Sequence, residues 1–272
     1  MKKVLALILA VLMFATMMVG CTKAPADKDD TESKKEMTDM EYVKDKGELV
    51  IGITDYAPMN YQEGGKWVGF DTEYAELVCA ALGVKAKFIE IDWDNKISEL
   101  DSKAIDCVWN GMTLTDEVVK AMSTSDAYIN NEQVVVMKKD KIDAYKDAAS
   151  MKDLQFSVEG GSAGEDAAED AGFKFTAVLT QADALMEVNS GAADACIIDI
   201  TMAKAMTGEG TSYADMAFGL SLVKEEYGIG FRKGSDLTAE VNKITQQLIK
   251  DGKLQDLGKK YDLTDSLVCN QK

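Results

Sequence analysis

"ELVIGITDYAPMNYQEGGKWVGFDTEYAELVCAALGVKAKFIEI", residues 48–91, decides the fold. Its opening, 48–54, is a short apolar run of the length a buried strand needs. Residues 71–83 place Tyr74, Leu77, Val78, Ala81 and Leu82 on one helical face, and the helix ends at Gly83. Alternation over 85–91 predicts a second strand. Strand, helix and strand at this spacing form the crossover unit of a parallel sheet.

The same alternation continues outward. "NKISELDSK" (95–103) reads as a short helix and "AIDCVWN" (104–110) as a strand. A helix starts near Thr115, with Asp116 and Glu117 favourable in its first turn. "EQVVVMKK" (132–139) is a β-branched strand. After a lysine-rich stretch, 138–152, the pattern restarts with strands at 154–158, 173–178 and 194–199 and helices at 165–172 and 181–191. A further helix, a strand at 225–234 and two helices at 236–252 and 254–263 complete the chain. The expected class is α/β, two doubly wound α/β lobes with mostly parallel sheets sharing a cleft. Ligands in such sheets bind beyond the carboxyl ends of the strands.

Composition excludes several chemistries. The 272 residues carry a formal charge of -17, with 47 acids against 30 bases, and no histidine. Histidine-dependent nucleophiles, histidine metal sites and a histidine pH switch are therefore ruled out. The acidic balance argues against nucleic-acid binding, which needs basic patches. Arg232 is the one arginine, so bidentate recognition of a carboxylate or phosphate has one candidate. Cys79, Cys107, Cys196 and Cys269 are widely spaced without a CxxC pair, which favours thiols over disulfides or a metal. No cofactor and no catalysis are expected.

At the N-terminus, Lys2 and Lys3 precede an apolar run, 4–19, too short for an ordinary membrane span. It ends in "MMVGC", which resembles a lipoprotein signal cleaved before Cys21, with the thiol then lipidated. Met18 stands where such signals usually carry Leu. Ordinary secretion and an uncleaved anchor remain the alternatives. Residues 1–20 are expected to be the signal peptide and 21–41 the lipidated Cys21 with a flexible polar tether.

Five stretches together carry a family resemblance: 49–83, "NGMTLTDE" (110–117), "VEGGSAGEDA" (158–167), "DACIIDI" (194–200) and "EYGIGFRKGSD" (226–236). In this order they resemble the type II periplasmic solute-binding proteins, family 3, which feed polar amino acid ABC importers. The resemblance covers nearly all of 47–262. It implies a two-strand hinge, near 135–138 and 224–227, joining lobe 1 (42–137 and 224–272) to lobe 2 (138–223). Closure would bury a small polar or cationic solute for delivery to an ABC permease and its ATPase. The expected form is a monomer held on the outer face of the cell membrane by the lipid on Cys21.

The resemblance also assigns a site. Asp199 matches the ammonium-binding aspartate, at a strand end where clefts lie. Asp55 and Tyr56 match polar and aromatic contacts, although "TDYAP" also suits a turn. Trp93 matches an aromatic that stacks on the ligand, and its polar neighbours suggest a loop rim. Gly111 and Thr113 match carboxylate contacts, and Glu159, Gly161 and Ser162 belong to a glycine-rich loop on the second lobe. Val118 departs from the pattern, because the family holds an arginine there for the ligand carboxylate. Lys120 lies about 200° around the helix and cannot simply replace it. Two ligand classes stay open: a polar or basic amino acid, and a cationic amine without a carboxylate, for which acids and aromatic faces are suited.

Overall fold

The computed structural model describes residues 37–271. The expected signal peptide, Cys21 and the expected tether up to residue 36 lie outside the described residues. The tether's last residues are already folded. Helix α1 (Asp39–Lys46) starts with a reciprocal cap between Thr38 and Glu41 and ends at Gly47. Arg232 holds this helix down, pairing with Asp39 at 2.9 Å and donating to the Ile105 carbonyl at 2.8 Å. The sole arginine is thus a buried structural clamp.

The first crossover unit is as the sequence predicts: β1 (Glu48–Ile53), α2 (Phe70–Leu82) and β4 (Lys85–Glu90), with β1 and β4 paired in parallel. Between them lies a hairpin, β2 (Tyr61–Glu63) and β3 (Lys66–Val68), turning at Gly64 and Gly65. Then come α3 (Lys96–Asp101), β5 (Cys107–Thr113), α4 (Asp116–Ala121), β6 (Ser123–Thr124) and β7 (Ile129–Lys138). The second set is β8 (Gln155–Glu159), α5 (Ala163–Ala171), β9 (Lys174–Val178), α6 (Gln181–Ser190), β10 (Ala195–Asp199) and α7 (Ile200–Met206). The long β11 (Met216–Phe231) and helices α8 (Leu237–Lys250) and α9 (Lys253–Lys260) return the chain to the first set.

The main sheet runs β4-β1-β5-β11-β7-β10-β8-β9, with β6 also on β11. Its flanks are parallel, whereas the pairs β5–β11, β11–β7 and β7–β10 are antiparallel. The central pair joins two α/β lobes. The C-terminal end of β11 pairs with β5 in one lobe, while the C-terminal end of β7 pairs with β10 in the other. The ladder between β7 and β11 shifts register between Phe218 and Val223, where β11 is irregular.

Apolar faces explain the layers. In one lobe α2 buries Phe70, Tyr74, Val78 and Leu82 under the sheet, continuous with Leu49, Ile51 and Ile53 of β1. In the other, Val135, Met137, Phe156, Val158, Ala195 and Ile197 form a core under α5. Phe156 and Phe173 stack there with centroids 4.4 Å apart. Cys79, Cys107 and Cys196 are buried as thiols. Among the described residues no helix is long and apolar enough to cross a membrane.

Candidate functional site

The carboxyl ends of the parallel strands in both lobes converge on one cleft. Its walls include Trp93 and Lys96 after β4, Asn110–Thr113 at the end of β5, Thr115, Glu117 and Val118 at the start of α4, and Gln133 of β7. The opposite wall supplies Glu159 at the end of β8, Gly161–Ala163 and Asp166 at the start of α5, Gln181 of α6, and Asp199 at the end of β10. The walls stand close together and leave about 30 Å³ of free space between them, room for a water or two. The lobes touch across it. Lys96 Nζ donates to the Gly161 carbonyl at 2.7 Å. Gly161 has φ +68°, and a Cβ there would lie 2.7 Å from Asp94 Cα, so only glycine permits this approach.

Asp199 is 3% exposed and accepts from Asn131, Gln133 and Gln181. Gln133 Nε2 also donates to Glu225 at 2.8 Å, so one neutral amide is shared by two acids. Burial first, and then the neighbouring Glu225, raises the Asp199 pKa. Glu159 is equally buried, and its Oε1 has no hydrogen-bond partner. Burial and then the nearby Asp199 charge push its carboxyl up to about 8, with Thr54 and Gln181 offsetting part of that. Neither acid has a lysine or arginine within ion-pair distance among the described residues. Two buried carboxylates facing one cavity create strong demand for a cation.

Most of the sequence-predicted residues come together here. Trp93, Gly111, Thr113, Val118, Glu159, Ser162 and Asp199 all line the cleft. Two do not. Asp55 is exposed beyond the wall. Tyr56 is 1% exposed, and its hydroxyl bonds to Thr201 and, at 2.5 Å, to Tyr227. Apolar packing plus a satisfied hydroxyl makes Tyr56 a core residue between the lobes. Trp93 is no exposed rim either, for it packs with Val118, Met112 and Val50 while presenting part of its surface to the cleft. Trp109 sits fully in the core, edge-on to Tyr74 at 4.8 Å.

The expected anion donors are largely engaged within the protein. The Gly111 N–H donates to Asp71 at 2.6 Å, and the Thr113 hydroxyl to Glu225 at 2.8 Å. Thr115 caps α4 by accepting from the Val118 N–H. In the glycine loop, Ser162 Oγ accepts from Gly164 and Glu165, while the Gly161 N–H donates to Glu165. These amides serve local structure instead of pointing at a solute. Gly111 itself has φ +55°, and a Cβ would lie 2.6 Å from the Tyr56 ring.

Lys96, Asn110, Gln133 and Gln181 are absent from the sequence-derived set. Asn110 and Gln133 lie on strands whose alternation could have placed them on the cleft face. Gln181 begins the helix after β9, so the strand-end rule reaches it too. Lys96 carried no such signal, because a lysine on a short polar helix ordinarily faces water. It is 6% exposed. Burial lowers its pKa, against the opposing pull of Glu117, Glu159, Asp94 and Asp166.

The family described as bacterial extracellular solute-binding proteins, family 3, matches residues 49–264. The arginine-binding extracellular protein ArtP of Bacillus subtilis is 34% identical over 226 residues, covering 79% of this chain and 86% of ArtP. The L-cystine-binding protein TcyA of the same organism is 31% identical, covering 92% and 95%. Among solved structures, a mutant of ArgBP from T. maritima superposes with a TM-score of 0.77 at 30% identity, covering 82% and 99%.

Proposed function

The chain belongs to the bacterial extracellular solute-binding proteins, family 3, and from that premise we propose that it captures a basic amino acid between its lobes. The observation that carries this is Glu159. A second buried carboxylate, without a hydrogen bond to Oε1, stands beside Asp199 in the same cavity. One acid suffices for an α-ammonium. Two suit a solute with a second cation on its side chain, and the arginine-binding relative ArtP is in keeping with that. Closure of lobe 2 (138–223) on lobe 1 (42–137 and 224–272) through β7 and β11 buries the solute. The closed form is presented as a monomer to an ABC permease, with Cys21 lipidated at the membrane face. The protein binds and releases; it does not convert its solute.

A second reading has its own support. Val118 lines the cleft at 3% exposure, so this wall presents an apolar side chain where a carboxylate clamp would stand. A cationic amine without a carboxylate suits that wall.

One screen separates the two. The purified protein is melted in the presence of arginine, lysine, glutamine and cystine, and of the decarboxylated amines agmatine and cadaverine. A solute at a hundredfold excess over Kd adds about 2.7 kcal/mol to apparent stability. The expected outcome is the largest upward shift with arginine or lysine. A shift with the amines alone moves the assignment to the second reading. No shift with any of the six defeats both.

A further inference from the structure

We infer that Lys96 binds the solute's carboxylate, supplying from the start of α3 the cation that Val118 leaves out of α4. The inference rests on the reading of the cleft as an amino acid site, and it names the residue that makes such a site workable without the arginine.

Elimination points there first. A buried carboxylate needs charged or well-aimed neutral donors. Three neutral candidates on this wall are taken: Gly111 by Asp71, Thr113 by Glu225, and the Val118 N–H by Thr115. On the facing loop the Gly161, Gly164 and Glu165 amides are taken by Glu165 and Ser162 side chains. Gln133 and Gln181 are turned toward Asp199.

Lys96 has the opposite character. An ammonium carries three donors. Two go to carbonyls, Gly161 at 2.7 Å and Trp93 at 3.3 Å, and the third has no acceptor among the described residues. Among the described residues no acid approaches within ion-pair distance, although Glu117, Glu159, Asp94 and Asp166 face it from further off. The ammonium lies 5.2 Å from the centre of the Trp93 ring. Trp93 packs with Val118, and Glu117 immediately precedes Val118. The charge therefore stands beside the first turn of α4, where the missing guanidinium would have reached. A lysine buried this deeply without an ion pair is costly unless an anion arrives. The chain has thus exchanged one cation for another on a neighbouring element.

The contact with Gly161 adds a second consequence. Lys96 belongs to one lobe and Gly161 to the other. Its shorter carbonyl contact forms only when the lobes meet, so carboxylate recognition and closure are linked.

The test compares each amino acid with its own decarboxylated amine, because only the carboxylate differs. Isothermal titration of the purified chain is run with L-arginine against agmatine and L-lysine against cadaverine. Wild type, Lys96→Met, Lys96→Arg and Lys96→Met with Val118→Arg are compared, each first shown to melt cooperatively. Loss of the Gly161 contact weakens both members of a pair and cancels in their ratio. In wild type the amino acid binds more tightly. Lys96→Met is expected to shrink that preference by about 10- to 100-fold, the worth of a charge-assisted hydrogen bond. Lys96→Arg retains it, and Val118→Arg restores part of it to Lys96→Met. An unchanged ratio in a folded Lys96→Met overturns the inference. So does a gain in affinity for both partners, which would make Lys96 a tethered competitor for the acids. Wild type binding only the amines overturns it while leaving solute capture intact. Wild type binding none of the four defeats the amino acid reading itself, before any variant is considered, and Lys96's role falls with it.

Discussion

Glu159 ends a strand, and that position brings an acid into a cavity whose neighbouring acid, Asp199, already accepts from three side-chain amides. Replacing it with Gln removes a buried charge without abandoning any bond from Oε1. Glu159→Gln is therefore expected to melt higher than wild type above pH 8 in the absence of solute. It should also bind a dibasic amino acid at least about tenfold more weakly, since a charge-assisted bond contributes about 1.5–3 kcal/mol. Calorimetry and melting curves on the same preparation check both signs, and a variant that melts lower refutes the account of the buried charge. The cleft position of Asp199 was legible in the sequence because strand ends point at clefts in this class of fold, whereas Trp93, Val118 and Glu159 entered through the family resemblance. Asp55 and Tyr56 obey the same rule and yet miss the cleft. The chain turns at "DYAP", sending Asp55 to solvent and Tyr56 inward to Tyr227. Which way a residue faces after a strand ends depends on that turn, and periodicity stops where the strand does.

Helix α1 shows how an element can be hidden by its own composition. Residues 38–46 are polar enough to pass for tether, and only Val43 is fully buried. The helix holds because Thr38 and Glu41 cap it and Arg232, just after β11, grips Asp39. Arg232→Ala breaks the pair with Asp39 and takes a donor from the Leu100 and Ile105 carbonyls, while Asp106 keeps Lys46 and the Val50 N–H. It should reduce stability by about 1–3 kcal/mol while leaving solute affinity nearly unchanged, as denaturant melts and titration will register. A large loss of affinity in a stable variant would contradict the structural role. The parallel units were readable from their 3.6- and 2-residue periods. The first nine residues of β11 were not, because that half of the strand is mostly exposed and its register shifts. The β2–β3 hairpin is likewise too short and too exposed to leave a pattern.

Across the whole molecule, buried acids link solute binding to protons. Burial pushes Glu159 up to about 8 and Asp71, under Gly111, up to about 7. Both values are raised above those of an unfolded chain. The folded protein therefore keeps protons that the unfolded chain has released, and stability is greatest at the acid end. It falls as pH rises from about 4 through about 8. A bound cation favours the ionised acids, so binding expels protons and strengthens with pH. The shift in melting temperature caused by arginine or lysine should be larger at pH 8 than at pH 5.5. The heat of binding should vary with the ionisation enthalpy of the buffer. A buffer-independent heat near pH 7 would mean the acids are already ionised before solute arrives.

The place of β11 in the sheet also governs how the chain can be made. This strand lies between β5 and β7, yet it is the last strand to leave the ribosome or an export channel. Until residue 231 has emerged, β5 and β7 each present an unpaired edge, and such edges recruit strands from other chains. Residues 155–199 face no such delay, since β8, β9 and β10 are neighbours in sequence and in space. Biogenesis is thus asymmetric: one lobe can condense early on local contacts, while the lobe begun first is sealed last.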